Sequence, residues 1–381
     1  MLIVIKHTAI KTTRTERQRE GVRKWIKSGG RASLVYATGF GKTRVACMII
    51  QSFLKHNPDA RVLISVPTEV LKTQWIETLA EYELFFSCQV EIINTLIKYN
   101  WETDLLIIDE AHRVASTQFR TIFDKVKYQY ILCLTGTMDR LDGKEVYIKQ
   151  FCPVVDVITV EEAVENGWLS PYKDYKVLID VDLDEYNEIN RRFNLYFAYF
   201  NYDFNLAMKC ATHVIFRNTY AKKLGLSHKE VMAMAMDWMR TMNLRKKFVV
   251  AHPKKLEIAH KILEARSDKK CITFSATIKD AEKLKYGAVL SSKQTKKKNK
   301  ITLEEFNNQM FGVIHTSKKL DEGADIKGLS VGIILSGDSS NIKKVQRFGR
   351  VLRKEDGKSA EMFTLIIRGT MEESWFWKNI F

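Results

Sequence analysis

No stretch of this 381-residue chain reaches the roughly eighteen uninterrupted apolar residues that a membrane-crossing helix needs. The apolar start, Met1 to Ile5, is too short for the core of a secretory leader. The expectation is a soluble, cytoplasmic protein with no membrane partner. The six cysteines, at 47, 88, 133, 152, 210 and 271, contain no CxxC pair and sit mostly in apolar segments. That speaks against a zinc site and against a disulfide framework, and fits a reducing cytosol. Acid is also short, with 45 Asp and Glu against 61 Lys and Arg, a formal net charge of +16. So much uncompensated positive charge costs self-repulsion unless an extended anion lies nearby. Nucleic acid is therefore the leading partner, and a generally basic soluble protein is the alternative.

What the chain does have is apolar content of 45%, enough at this length to bury two ordinary α/β cores. Near the start stands Ala37-Thr38-Gly39-Phe40-Gly41-Lys42-Thr43. Glycines at 39 and 41 let backbone N–H groups close around phosphate oxygens, Lys42 can reach the β- and γ-phosphates, and the Thr43 hydroxyl can hold Mg²⁺. Leu34-Val35-Tyr36 before it reads as a buried strand, and Arg44 to Leu54 after it has helical apolar spacing, so the phosphates would sit on a helix N-terminus. A chance Gly-rich turn is the bland alternative. It weakens at Leu105-Leu106-Ile107-Ile108-Asp109-Glu110-Ala111-His112, where an apolar strand delivers two carboxylates at its end. Asp109 is placed to bind Mg²⁺, and Glu110 to polarise the attacking water.

Strand-like runs at Arg61–Val66, Val90–Ile93, Leu105–Ile108 and Tyr130–Leu134 alternate with helical ones, which predicts a parallel sheet with crossover helices. A second α/β series runs from His252 to Ile367, with strands at Cys271–Phe274, Ala288–Leu290, Phe311–His315, Val331–Leu335 and Glu361–Ile367. It has no phosphate loop of its own but carries Gln346-Arg347-Phe348-Gly349-Arg350-Val351-Leu352-Arg353. Between the two, from about 181 to 250, the pattern turns to long helices rich in aromatics and methionine, which read as core filling or as base-stacking platforms. The lysines between Lys293 and Lys300 read equally as a DNA-backbone contact or a solvated loop. The domains predicted are 1–170, binding ATP; 171–250, a helical insert or linker; and 251–381.

In order and spacing these segments resemble those of superfamily 2 helicases and translocases over nearly the whole chain outside the helical insert. The resemblance implies two RecA-like parallel-sheet domains in tandem, with ATP and Mg²⁺ as cofactors. Gln18, just before a helix beginning near Arg19, resembles the adenine-reading glutamine. Thr38, Gly39, Phe40, Gly41, Lys42 and Thr43 would bind ATP, with Thr43 and Asp109 holding the metal and Glu110 catalytic. Val66-Pro67-Thr68 with Gln74 and Trp75 resembles the segment that meets the nucleic-acid backbone, and His112, Thr135 and Thr137 the elements that couple hydrolysis to strand handling. In the second domain Ile272 to Ser275 resembles the fourth motif and Leu320 to Asp325 the fifth, which adds Ser275 and Thr316 as nucleic-acid contacts and Gly323 and Asp325 at the nucleotide. The arginine segment matches the sixth motif, so Gln346 faces ATP and Arg350 and Arg353 carry over as fingers reaching the γ-phosphate. Asp139 to Glu145 is similar to the DNA-repair and phage branch, XPB-like and UvsW-type, which favours branched or duplex DNA, a monomer, and a bacterial or phage-infected host cytosol. An RNA helicase, a duplex translocase and a nucleotide-gated clamp that hydrolyses slowly remain as alternatives. No nuclease signature is evident, so a restriction subunit is not expected.

Overall fold

The computed structural model describes residues 12–114, 116, 118–138, 143, 145–250, 252–291, 293–317, 326–335, 351 and 359–378. The chain opens with α1 (Arg14–Lys27), β1 (Arg31–Tyr36), α2 (Lys42–His56), β2 (Val62–Val66), α3 (Glu69–Glu81), β3 (Cys88–Ile92) and α4 (Ile93–Leu96). It continues with β4 (Trp101–Glu102), β5 (Leu105–Ile108), α5 (Ile122–Lys125), β6 (Val126–Lys127), β7 (Tyr130–Thr135), α6 (Glu145–Phe151), β8 (Val154–Ile158) and α7 (Val160–Glu165). Six of these strands form one sheet in the order β3-β2-β5-β7-β1-β8, parallel throughout. Strands β2 and β5 are buried at every residue, as a parallel sheet covered by helices on both faces requires. The order places β7 between the phosphate-loop strand β1 and the acidic strand β5, so all three deliver their carboxyl ends to one edge.

The second half contains β9 (Tyr172–Ile179), α8 (Asp184–Ala198), α9 (Phe204–Thr212), α10 (Val214–Leu224), α11 (His228–Val250), α12 (Pro253–Glu264), β10 (Lys270–Phe274) and α13 (Ile278–Glu282). After these come β11 (Ala288–Leu290), α14 (Lys296–Asn308), β12 (Gly312–Thr316), β13 (Val331–Ile334), β14 (Ala360–Ile367) and α15 (Met371–Lys378). The second sheet has the order β11-β12-β10-β13-β14-β9 and is also parallel. Two parallel-sheet lobes in tandem are therefore the architecture, as the alternating pattern implied.

Three expectations are corrected. The segment from 171 does not open a helical linker: β9 pairs with β14 along eight residues, Tyr172↔Ala360 to Ile179↔Ile367, as the edge strand of the second sheet. Helix begins only at Asp184, so the helices leave and rejoin the second lobe. Gln18 lies inside α1, not before it, because Thr13 and Glu16 form a capping box that starts the helix at Arg14. The lysines after 295 belong to α14, which Thr295 caps, and not to a loop.

The inserted helices have their own core of Phe200, Cys210, Tyr220 and Trp238, with Phe193 and Phe197 packed against it. Trp238 stacks on Phe197 with ring centroids 5.4 Å apart. Core filling is what most of these aromatics do; Tyr199 and Tyr202 stay exposed.

Candidate nucleotide site

The phosphate loop leaves β1 at Ala37 and enters α2 at Lys42, with Gly39 and Gly41 at φ 92° and 101°. Only glycine takes such angles without strain. At Gly41 a Cβ would also stand 2.7 Å from Gln18 Nε2 and so displace the amide that holds the loop. Beneath the loop, Gln18 is fully buried and donates Nε2 to Phe40 O at 3.0 Å. Arg14, one turn earlier on α1, donates Nε to Phe40 O at 2.8 Å and its Nη2 to Gly39 O, and lies over the Phe40 ring. Two buried oxygens here have no hydrogen-bond partner, Gln18 Oε1 and Thr38 Oγ1. Such groups cost free energy in a closed core and suit a site whose ligand completes them.

Helix α1 is held in place from below. Arg17 grips Asp156 with both terminal nitrogens, at 2.6 and 2.9 Å, and the same carboxylate accepts from Lys24 at 2.7 Å and from the Tyr36 hydroxyl at 2.7 Å. Burial would raise the Asp156 pKa, but these donors outweigh it and hold the carboxyl below its usual range. The close approach of α1 to β1 needs Gly21, where any Cβ would collide with the Tyr36 hydroxyl. Arg17 is thus a tie between α1, β1 and β8, while Arg14 serves the loop.

Asp109 follows β5 and is 8% exposed. It accepts from Trp75 Nε1 on α3 at 2.9 Å and from the Glu110 backbone N–H at 2.9 Å. Burial and the adjacent Glu110 carboxylate push its pKa up to about 6, while the Lys42 ammonium pulls it down. The loop lysine and the strand-end acid therefore share one electrostatic site. Glu110 sits at φ 50°, a left-handed conformation that costs a non-glycine residue about 1 kcal/mol or more and is typical of functional turns. From its carboxylate a polar chain runs inward. His112 Nδ1 lies 3.3 Å from Glu110 Oε2 and 3.0 Å from Thr135 Oγ1, and the Thr135 hydroxyl donates to Thr137 O at 2.7 Å. With the Thr135 proton committed to Thr137, its oxygen can only accept, so His112 carries its proton on Nδ1.

The structure thus gathers Gln18, the 38–43 loop, Asp109, Glu110, His112, Thr135 and Thr137 at one sheet edge. Thr68 caps α3, accepting from Leu71 N at 3.3 Å, and Pro67 and Gln74 are half-buried beside it. Ser275 and Thr316 are neighbours at the carboxyl ends of β10 and β12, joined by Ser275 N to Thr316 O at 2.9 Å, and each is 1% exposed. Gly323, Asp325, Gln346, Arg350 and Arg353 lie outside the described residues, as does most of the stretch from Asp139 to Lys144. Val351, between the two candidate fingers, is fully buried in the core that also contains Met362. Sequence reading missed Arg14, Trp75 as a partner of Asp109, and Asp156. The T-x-x-E of Thr13 and Glu16 was the signal that would have put Arg14 and Gln18 on one helix.

Two family profiles match the chain. "Helicase conserved C-terminal domain" covers residues 254–355, and "Type III restriction enzyme, res subunit" covers 8–104 and 95–140. The DNA 3'-5' translocase XPB2 of Sulfurisphaera tokodaii is 28% identical over 381 residues, 93% of this chain and 82% of that protein. The chain carries helicase-type domains and is related to an XPB-like translocase. With these domains and this XPB-like relationship it is a nucleic-acid-dependent ATPase of the helicase type. Solved structures agree on the fold. The Hef helicase domain of Pyrococcus furiosus superposes with TM-score 0.53 at 17% identity, covering 96% of this chain and 98% of that one. The ATP-dependent Type ISP restriction-modification enzyme LlaBIII bound to DNA gives TM-score 0.59 at 15% identity, covering 98% of this chain and 29% of that one.

Proposed function

We propose that this protein is a superfamily 2 enzyme, an ATP-driven DNA helicase or translocase that acts on branched or duplex DNA, remodelling forks or recombination intermediates. The observation that carries the motor reading is the continuous polar chain from Glu110 through His112 to Thr135 and Thr137, which joins the candidate catalytic acid to the strand β7 beside the phosphate loop. The choice of DNA is supported by similarity to a protein named as a DNA translocase along 93% of this chain.

The residues present fit a Mg²⁺-bound nucleoside triphosphate: a loop of glycine conformation, unmet buried oxygens on Gln18 and Thr38, and a cation and a carboxylate that feel each other. Lys42 and the α2 N-terminus would bind the β- and γ-phosphates, and Thr43 and Asp109 would hold Mg²⁺, which supplies charge neutralisation at the phosphate oxygens. Glu110, oriented by His112, would position and accept a proton from the attacking water. Arg350 and Arg353 would complete the site from the second lobe, with Gly323, Asp325 and Gln346 lining it, so that the triphosphate acts as a closing ligand. Pro67, Thr68, Gln74, Ser275 and Thr316 would line the track for the nucleic-acid backbone. A phosphate-based grip weakens steeply with salt and reads little sequence.

The deciding experiment compares ATPase rates with single-stranded DNA, duplex, fork, four-way junction and RNA side by side. Stimulation by forked or duplex DNA is expected; stimulation by RNA alone transfers the protein to the RNA helicases, and a rate that no nucleic acid raises leaves a slow clamp. Strand displacement on a partial duplex then separates helicase from translocase.

A further inference from the structure

We infer that Arg14 is a positioning residue that sets the phosphate affinity of the loop through its backbone, independently of the base; the inference rests on the nucleotide reading above. Arg14 Nε and Gln18 Nε2 converge on one carbonyl, Phe40 O, at 2.8 and 3.0 Å, while Arg14 Nη2 holds the preceding carbonyl, Gly39 O. The peptide bonds are trans, so in the unit that joins Phe40 to Gly41 the carbonyl and the N–H point to opposite sides. Pinning the Phe40 carbonyl toward α1 therefore aims the Gly41 N–H into the cradle at the start of α2, beside the unsatisfied N–H groups of that helix's first turn. A cation on the carbonyl also polarises the amide, which makes its N–H a stronger donor to an anion.

The Phe40 N–H is not part of the cradle, because it donates to Ala37 O at 3.0 Å. That turn places the Phe40 ring against Tyr36 and Trp168, with centroids 5.4 and 5.3 Å away, and Arg14 closes its remaining side. The Arg14 guanidinium thus fixes a peptide plane whose orientation decides whether the loop presents a donor or a carbonyl to the phosphates. Because it works through the loop, its effect belongs to the phosphates and not to adenine.

The test measures kcat and KM for ATP, with the inhibition constants of inorganic tripolyphosphate and of adenosine, on the full chain with saturating DNA for the wild type, R14M, R14K and K42A. In R14M the KM for ATP and the inhibition constant of tripolyphosphate should both rise about tenfold, the loss of one charge-assisted hydrogen bond, with kcat within about threefold and adenosine unchanged. R14K, which restores the charge but cannot span both carbonyls, should fall between, and it decides the matter should R14M fail to fold. An unchanged tripolyphosphate constant, or a loss shared with adenosine, overturns the inference. A wild type without turnover that depends on Lys42 removes the nucleotide reading and this inference with it; a wild type that turns over normally beside an equally active R14M removes this inference alone.

Discussion

Asp109 and Asp156 are both buried at the first sheet, 8% and 5% exposed, and their surroundings are opposite. Asp156 receives a bidentate arginine, a lysine and a tyrosine, and its carboxyl is held acidic. Among the described residues Asp109 receives only neutral donors, an indole and a backbone N–H; it lies beside a second carboxylate and is pushed up to about 6. A carboxylate whose charge is fully met by its own chain is a fastener. One flanked by a second carboxylate and neutral donors has the surroundings that the proposed metal site requires, and the contrast distinguishes the two acids more cleanly than burial does.

The comparison can be broken by substitution, the largest effects first. Lys42→Ala removes the cation that Asp109 does feel, and turnover should fall on the order of 10²–10³-fold or more with the melting temperature little changed; ordinary turnover in a coupled ATPase assay would refute the site. Asp109→Asn should lose activity to a similar degree yet leave urea stability within about 1 kcal/mol of wild type, since it relieves a repulsion with Glu110. Asp156→Asn should do the reverse in stability, costing about 3 kcal/mol as Arg17 and Lys24 lose their shared buried acceptor and keep only the longer contacts to Glu20 and Glu162, and equal urea midpoints for the two variants would erase the distinction drawn here.

The pH dependence sharpens it further. Because the folded pKa of Asp156 is lowered, its contribution is complete above the ordinary aspartate value of about 4 and is lost as pH falls through the folded value. The stability gap between wild type and Asp156→Asn should therefore be constant from pH 7 to 5 and narrow below pH 4, measured as urea midpoints. The smallest effect is expected from Trp75→Phe, which deletes the indole donor to Asp109 and should lower kcat/KM by about fivefold.

Much of the site was legible in the chain. The Gly-rich loop and the acid pair after an apolar strand are local patterns whose chemistry follows from residue type and spacing, while Thr135 and Thr137 were reached through the family resemblance. Asp156 was not legible, because its partners lie 120 to 139 positions away and only the strand order brings β8 beside β1. Strand β9 was missed for a related reason. An edge strand with half-exposed residues shows no buried apolar run, and its pairing with β14 spans nearly two hundred positions. Arg14 is hidden because the helical pattern read from the sequence begins near Arg19, whereas the Thr13–Glu16 capping box starts the helix at Arg14.

The sequence by itself determined which segments would be strands and helices around the phosphate loop, and which groups could meet a triphosphate, because periodicity, glycine freedom and side-chain chemistry act over a few residues. Only the tertiary structure decided that Asp156 is met by Arg17, Lys24 and Tyr36 while Asp109 lies beside Glu110, and that Arg14 and Gln18 meet on the Phe40 carbonyl. Those outcomes depend on distances between elements far apart in the chain, set by sheet order and by the packing of α1, and no local pattern encodes them.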